Sequence, residues 1–453
     1  MPQAFTNPFV FGQFLELRVD ALVSDGRGLG RHDGVVVIVE GALPGQLVRA
    51  EIVKVQKSLA EAELADVLER SPDEQEPPCP HAGRCGGCAW QSLAYEKQLG
   101  WKERIVRDAL ERVGKVQEPP MLPILPSPAP WGYRNKMEFA FGLSEAGKAV
   151  GLRERGSRRI VEVTGCLLQT PLTMRVLAAV RELANGPFRE VDGRFLVIRE
   201  PQAGGCFVEL IAGPGCDAGT GERFAAALRA AVPDVSGFAL SQRSASSDVA
   251  YGEKTLYADG RLAERIGAVT LRLGHNAFFQ VNTPAAELLY AEAARFAALD
   301  DLKRPVLWDV YGGVGSIGLY MAAGRDIRVV GIEEMPGAVR CARENVRAHG
   351  LKNYKVEQGD AKSVIGRLLR LGPKPDVVVV DPPRAGIDAK VAQQLAEAAP
   401  ARLVYVSCNP ATLARDVARL APAFRLKAVR PVDLFPQTPH VETVALLEKR
   451  TIF

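Results

Sequence analysis

The 453-residue sequence predicts an α/β chain, with a doubly wound, mostly parallel sheet in its C-terminal part, a small β-barrel at its start and a mixed α+β portion between them. Three observations predict this. Residues 306–449 alternate short apolar runs with helical patterns, as a parallel sheet with crossover helices does. Residues from about 11 to 70 instead alternate β-rich runs with glycine turns. Residues 171–265 mix both kinds of pattern without a sustained period.

In chain order, residues 15–19, 35–39 and 48–55 are candidate strands, joined by glycine-rich connections at 26–31 and 41–45. They suggest a five-stranded barrel of the OB type, a frequent nucleic-acid binder. The acidic, proline-containing residues 71–78 read as a linker. Residues 92–113 have helical periodicity, which stops at Gly114 before a proline-rich loop over 118–130. Trp131 opens the central part, and residues 137–141 read as its first strand. Arg153, Arg155, Arg158 and Arg159 form a basic cluster that suits RNA phosphates, against the plainer reading of a solvated face. The expected domains are 8–70, 71–270 and 271–453, with the helix at 92–113 packing on the last.

The C-terminal strands end in suggestive residues. Residues 306–310 lead into Tyr311-Gly312-Gly313-Val314-Gly315, and a helical stretch begins at Ser316. The next runs end in Glu333, near Asp360, and in Asp381-Pro382-Pro383-Arg384. The run 402–406 leads to Ser407-Cys408-Asn409-Pro410. Open α/β sheets bind ligands outside the carboxyl ends of their strands. A lone cysteine there is usually a small buried hydrophobe, and a lone acid is usually solvated. Five such features in series are hard to explain as architecture. The carboxylate of Asp309 opens the glycine loop. It suits the cationic amino-acid part of S-adenosylmethionine and would repel a pyrophosphate.

Of eight cysteines, Cys79, Cys85 and Cys88 lie in a C-x5-C-x2-C run, and Cys166 is a fourth candidate far downstream. Nothing suggests secretion, so a disulfide is the weaker reading. Four thiolates suit zinc or an iron–sulfur cluster, and the spacing does not separate the two. Cys206, Cys216 and Cys341 show no partner pattern and read as packing residues. The net charge of +4 is mild, so nucleic-acid binding must rest on local patches. No signal peptide or membrane-spanning run is visible, and a cytoplasmic monomer with no membrane partner is expected.

Five motifs in their order resemble the RNA 5-methyluridine (uracil-5-) methyltransferase family: Phe278-Phe279-Gln280-Val281-Asn282, the Asp309–Gly315 loop, Asp381-Pro382-Pro383-Arg384-Ala385-Gly386, Ser407-Cys408-Asn409-Pro410, and a final run from Asp433 to Glu442. The resemblance spans nearly the whole chain. Gly312 stands where the family often has cysteine, one small residue for another. It implies a Rossmann-like class I S-adenosylmethionine-dependent methyltransferase domain behind an RNA-binding TRAM barrel. It implies Cys408 as nucleophile and Glu442 as base. Methyl-donor contacts would come from Gln280, Tyr311, Ser316, Glu333, Asp360 and Asp381. A 4Fe–4S cluster would be held by Cys79, Cys85, Cys88 and Cys166, with a structural or RNA-positioning role.

The chemistry needs these parts. Carbon 5 of uracil is a poor nucleophile until a thiolate adds to carbon 6, and a base must later remove the carbon 5 proton. The target base must also leave the RNA stack. Amino-methylating enzymes would carry an aromatic residue where Arg384 stands, and RNA 5-methylcytosine enzymes a cysteine between Asp381 and Gly386. By analogy the barrel and cluster favour 23S rRNA over tRNA as substrate. A non-catalytic RNA-binding iron–sulfur protein would show broken motifs, and these are whole.

Overall fold

The computed structural model describes residues 7–144, 147–245 and 248–450. Strands β1 (Phe14–Leu22), β2 (Gly28–His32), β3 (Val35–Glu40), β4 (Leu47–Val55) and β5 (Leu59–Glu69) close into a barrel in the order β1-β2-β3-β5-β4. In β1, Leu15, Leu17 and Val19 point inward between exposed Phe14, Glu16 and Arg18, the period of two expected of a strand with one buried face. The connection expected at 26–31 turns out to contain β2. Its glycines serve close packing as well as turning: a Cβ on Gly30 would come within 2.3 Å of the Arg18 carbonyl oxygen.

Helix α1 (Tyr95–Arg112) follows the cysteine-bearing segment. Its Val106 and Leu110 enter the core of the C-terminal sheet, as expected for the helix at 92–113. The central part is a seven-stranded sheet of order β12-β11-β10-β9-β6-β7-β8. Its strands are β6 (Lys136–Ser144), β7 (Gly147–Arg153), β8 (Ile160–Val161), β9 (Gly193–Arg199), β10 (Cys206–Ala212), β11 (Val235–Gln242) and β12 (Lys254–Asp259). Helices α2 (Pro171–Asn185) and α3 (Ala218–Ala231) share a core with it through Val176, Leu177, Phe224 and Leu228. A hairpin, β13 (Leu262–Ile266) and β14 (Val269–Leu273), then leads toward α4 (Thr283–Ala297).

The C-terminal sheet is built from β15 (Val306–Val310), β16 (Arg328–Glu333), β17 (Tyr354–Gln358), β18 (Val377–Val380), β19 (Arg402–Ser407), β20 (Phe424–Val432) and β21 (Glu442–Lys449). Their order is β17-β16-β15-β18-β19-β21-β20. The first five are parallel, and β21 runs antiparallel to both its neighbours. Helices α5 (Ser316–Ala322), α6 (Pro336–Ala348), α7 (Ala361–Leu371), α8 (Ala389–Ala398) and α9 (Pro410–Leu420) connect the strands. One core holds α4, α5 and α6, and the other holds α1, α7, α8 and α9. Both faces of the sheet are therefore covered, and β18 is four buried valines rather than an alternating pattern. Strand order reverses between β15 and β18, the switch point where such sheets bind ligands. No helix among the described residues is long and apolar enough to cross a membrane.

Candidate active site

The glycine loop leaves β15 through three left-handed residues: Tyr311 (φ 65°), Gly313 (φ 56°) and Gly315 (φ 84°). Glu333, at the end of β16, accepts the Gly313 N–H at 2.9 Å and the Met335 N–H at 2.8 Å, so the strand-end acid braces the loop. Asp309 precedes that loop within β15. It is buried, and its Oδ2 accepts the Gly318 N–H of α5 at 3.0 Å and the Tyr354 hydroxyl at 3.1 Å. Its Oδ1 is buried without a partner, and burial pushes the carboxyl up to about 6. A Cβ on Gly312 would lie 3.0 Å from Asp309 Oδ2, which limits that position to a small residue.

The other expected donor contacts lie around the same strand ends. Ser316 is the first residue of α5, and its Oγ is 3.0 Å from the Tyr290 hydroxyl. Asp360 caps α7 by accepting the Ser363 N–H at 3.2 Å, and the Ser363 hydroxyl, with that N–H second to it, holds its carboxyl below the usual range. Gln280 is buried, and its carbonyl accepts from Asn135 Nδ2 at 3.0 Å. Burial raises the Tyr311 hydroxyl to about 12. Phe278 leaves its ring 72% exposed next to the buried Phe279 and Gln280.

Cys408 and Glu442 are brought together by strand register. Ser407 of β19 lies opposite Thr443 of β21, so the next step at that end of the ladder sets Cys408 beside Glu442. Opposed residues of an antiparallel pair share a face. Burial, then the charges of Glu442 and Asp381, push the Cys408 thiol up to about 11, while Arg384 opposes them. Glu442 is 3% exposed, and burial reinforced by Asp381 holds its carboxyl well above the usual range. Asp381 is raised to about 7 by burial and by Asp309. Two uncomfortable carboxyls and a thiol at one strand edge are a typical signature of a reacting centre. The turns carrying them are tied to each other. Asn409 Nδ2 and Thr412 Oγ1 both donate to the Arg384 carbonyl at 3.2 Å. Buried Asp416 accepts the Ile387 N–H at 2.9 Å and the Tyr405 hydroxyl at 2.8 Å, fixing the far side of the proline loop.

Cys79, Cys85, Cys88 and Cys166 are free, partly buried thiols. Cys85, Cys88 and Cys166 each feel the charge of others in the set, although burial is the larger cause raising all three, Cys88 to about 11. The donor chemistry thus suits a thiophilic metal. Yet among the described residues no three His, Cys, Asp or Glu side chains are gathered closely enough to hold a metal ion. The neighbouring arginines are partly engaged. Arg155 donates to the Cys88 carbonyl at 3.1 Å and pairs with Glu40 of the barrel at 3.6 Å, and Arg153 pairs with Asp248 at 3.0 Å. Arg158 and Arg159 remain exposed. Tyr95, Gln98 and Lys102 belong to no sequence motif, yet they reach from α1 into the loop before Glu442.

The sheet order, the braced glycine loop and the antiparallel strand beside the cysteine define an S-adenosylmethionine-dependent methyltransferase. The comparisons narrow the class. Residues 371–450 match the tRNA (uracil-5-)-methyltransferase family and residues 10–65 the TRAM domain. An RNA methyltransferase of Nitratidesulfovibrio vulgaris is 45% identical over 98% of both chains. One from Caldanaerobacter subterraneus is 36% identical over 98% of this chain and all of its own length. The crystal structure of Pyrococcus abyssi tRNA (uracil-54, C5)-methyltransferase in complex with S-adenosyl-L-homocysteine covers 96% of this chain and 100% of its own, at 26% identity and a TM-score of 0.75. The chain belongs to the RNA (uracil-5-)-methyltransferase family, and it is an S-adenosylmethionine-dependent RNA methyltransferase with an N-terminal TRAM barrel.

Proposed function

We propose that the enzyme methylates carbon 5 of one uridine, with Cys408 as nucleophile and Glu442 as base. The observation that supports this reading is the β19–β21 register, which ends with Ser407 opposite Thr443, one residue from Cys408 and from Glu442, together with the charge that Glu442 exerts on the Cys408 thiol. The Cys408 thiolate adds to carbon 6, and the resulting enolate attacks the sulfonium methyl from carbon 5. Glu442 then takes the carbon 5 proton, and the thiolate leaves. S-adenosylmethionine supplies the methyl group. The residues that fit it are Gln280, Tyr311, Ser316, Glu333, Asp360 and Asp381. A cation bound among these acids would offset the burial that raises the Asp381 and Glu442 carboxyls. The exposed Phe278 ring offers a stacking surface for an RNA base next to the site.

Tritiated S-adenosylmethionine and total RNA from a strain lacking the gene provide the test. Wild type forms 5-methyluridine, Cys408→Ala forms none, and Glu442→Gln accumulates a denaturation-resistant protein–RNA adduct. Label transferred by Cys408→Ala would overturn the nucleophile assignment. Failure of every protein to transfer label would favour a non-catalytic RNA-binding protein.

In the proposed organisation the barrel (8–70) and central part (71–270) grip RNA and the remainder (271–453) performs transfer. Cys79, Cys85, Cys88 and Cys166 are proposed to hold a 4Fe–4S cluster that shapes this RNA-binding part. Support for that reading comes from the donor chemistry and from the charge that Cys79, Cys85 and Cys166 exert on Cys88, a repulsion a metal would relieve. Iron and sulfide assays of anaerobically purified protein check it.

We favour 23S rRNA as substrate. A tRNA uridine is the second reading, because the archaeal neighbour named for tRNA matches over 96% of this chain. Mapping the label decides between them.

A further inference from the structure

We infer that Gln98 and Lys102 of α1 are positioning residues for Glu442: they clasp the loop before it and so govern the step in which carbon 5 loses its proton. The inference rests on the proposed roles of Cys408 and Glu442.

Val432 and Glu442 lie opposite each other in β20 and β21, and residues 433–441 form the loop between them. Loops of this length normally run over the surface and move. This one is buried at Asp433, Leu434, Gln437, Thr438 and Val441. Buried backbone groups must find partners, and most partners here come from outside the sheet the loop connects. Lys102 Nζ lies 2.6 Å from Asp433 Oδ1, with both side chains 0% exposed, and also donates to the Phe435 carbonyl at 3.0 Å. Tyr95 donates to Asp433 Oδ2 at 2.9 Å.

Gln98 engages Gln437 twice: its Nε2 donates to Gln437 Oε1 and its Oε1 accepts the Gln437 N–H, both at 2.9 Å. Gln437 is held in the left-handed region (φ 69°), a conformation that persists in a non-glycine residue only where its surroundings enforce it. Trp90 adds a bond from its N–H to the Gln437 carbonyl at 3.0 Å, and Asn282 Nδ2 donates to the Leu434 carbonyl at 3.0 Å.

Tyr95, Gln98 and Lys102 are spaced i, i+3, i+7, one polar stripe on the buried side of a helix. A buried ion pair is a weak source of stability, because desolvation offsets the attraction. All three side chains act on the segment that ends at Glu442. Proton abstraction needs a carboxylate within hydrogen-bond reach of its target, and small displacements cost large factors in rate. Methyl transfer uses Cys408 and the donor, so it does not call on this loop.

After transfer, carbon 5 bears the new methyl and its original proton, and carbon 6 bears the Cys408 sulfur. The Glu442 carboxylate takes the proton, the C–H electrons form the C5–C6 double bond, and the C6–S bond breaks with its pair returning to sulfur. This resolution step is the one that depends most directly on where Glu442 is held, because only here does its carboxylate take a proton.

The experiment is single-turnover kinetics with the full-length protein, labelled S-adenosylmethionine and the RNA that wild type methylates. Covalent adduct is read on denaturing gels. The variants are Gln98→Met and the charge-free pair Lys102→Met/Asp433→Leu, which avoids stranding a buried carboxylate. Glu442→Gln and Cys408→Ala serve as references, and S-adenosylmethionine affinity reports an intact fold. In the clasp variants methyl transfer stays within about 3-fold of wild type, while resolution slows by about 10-fold or more and adduct accumulates. Steady-state kcat falls and KM holds. Equal slowing of both steps, or no adduct where Glu442→Gln traps it, would overturn the clasp. No adduct with Glu442→Gln itself would overturn the Glu442 assignment instead.

Discussion

At the scale of single residues, the site is built from groups whose charged forms are disfavoured by burial. Burial and neighbouring carboxyls raise the Cys408 thiol to about 11 and Asp381 to about 7. Asp381 carries charge only above its own raised value, so its effect on the thiol grows as pH passes about 7. Replacing it with asparagine removes a negative neighbour, and the Cys408 profile moves to lower pH. Alkylation of the Cys408 peptide by iodoacetamide, followed by mass spectrometry across pH 7–11 in ligand-free protein, checks the shift. An unmoved profile would remove Asp381 from the electrostatics of the thiol.

The same substitution bears on stability. A carboxyl whose folded value is raised favours the native state while protonated, and that contribution is lost as pH rises through the folded value. Between the ordinary carboxylate range and about pH 7 the wild type therefore loses stability that Asp381→Asn keeps. At pH 8 the variant should be more stable by roughly 1 kcal/mol, as when an active-site strain is relieved. Urea unfolding at pH 5 and pH 8 measures the difference.

At the scale of elements, turns and caps decide where the reacting side chains sit. Asn409 caps α9, accepting the Ala411 N–H at 3.0 Å, and also holds the Arg384 carbonyl. Asn409→Ala should cost about 1 kcal/mol in unfolding free energy from the lost cap. It should cost proportionally more in activity, because the cysteine turn and proline loop part company.

One of the contacts that dock the barrel is made at a glycine. Gly26 has φ 92°, its carbonyl accepts the Trp90 indole N–H at 3.0 Å, and a Cβ there would lie 2.9 Å from Pro439. Gly26→Ala is expected to loosen the barrel from the loop that precedes Glu442. Limited proteolysis near residues 70–78 should then run faster, with S-adenosylmethionine affinity unchanged.

For the whole molecule, the cysteine segment ties the barrel and the central sheet to the loop before Glu442. Arg155 links Cys88 to Glu40 of the barrel, and Trp90, two residues after Cys88, bonds to both the barrel and the Gln437 carbonyl. Cys88→Ser should lose bound iron and weaken RNA binding, while S-adenosylmethionine binding to the C-terminal sheet persists. Iron content and filter binding at two salt concentrations give the readout. Equal loss of both affinities would show that the segment supports the whole fold instead.

The sequence by itself determined the sheet, the barrel and the strand-end residues, because period, glycine turns and terminal motifs are local properties of the chain. It displayed Cys408, Glu333 and Asp381 as residues following apolar runs. Strand β2 was hidden because its glycines look like a turn until the approach of the Arg18 carbonyl is known. Asp309 was legible as a carboxylate at the start of the glycine loop, but its burial and the bonds from Gly318 and Tyr354 depend on α5 and β17. The pairing of Cys408 with Glu442 was legible only through family resemblance, whereas the register that puts Ser407 opposite Thr443, one residue from each, belongs to the tertiary structure. The clasp of Tyr95, Gln98 and Lys102 on residues 433–437 had no sequence signal, since hydrogen bonds across some 330 positions depend on how α1 packs, and packing is a property of the assembled core.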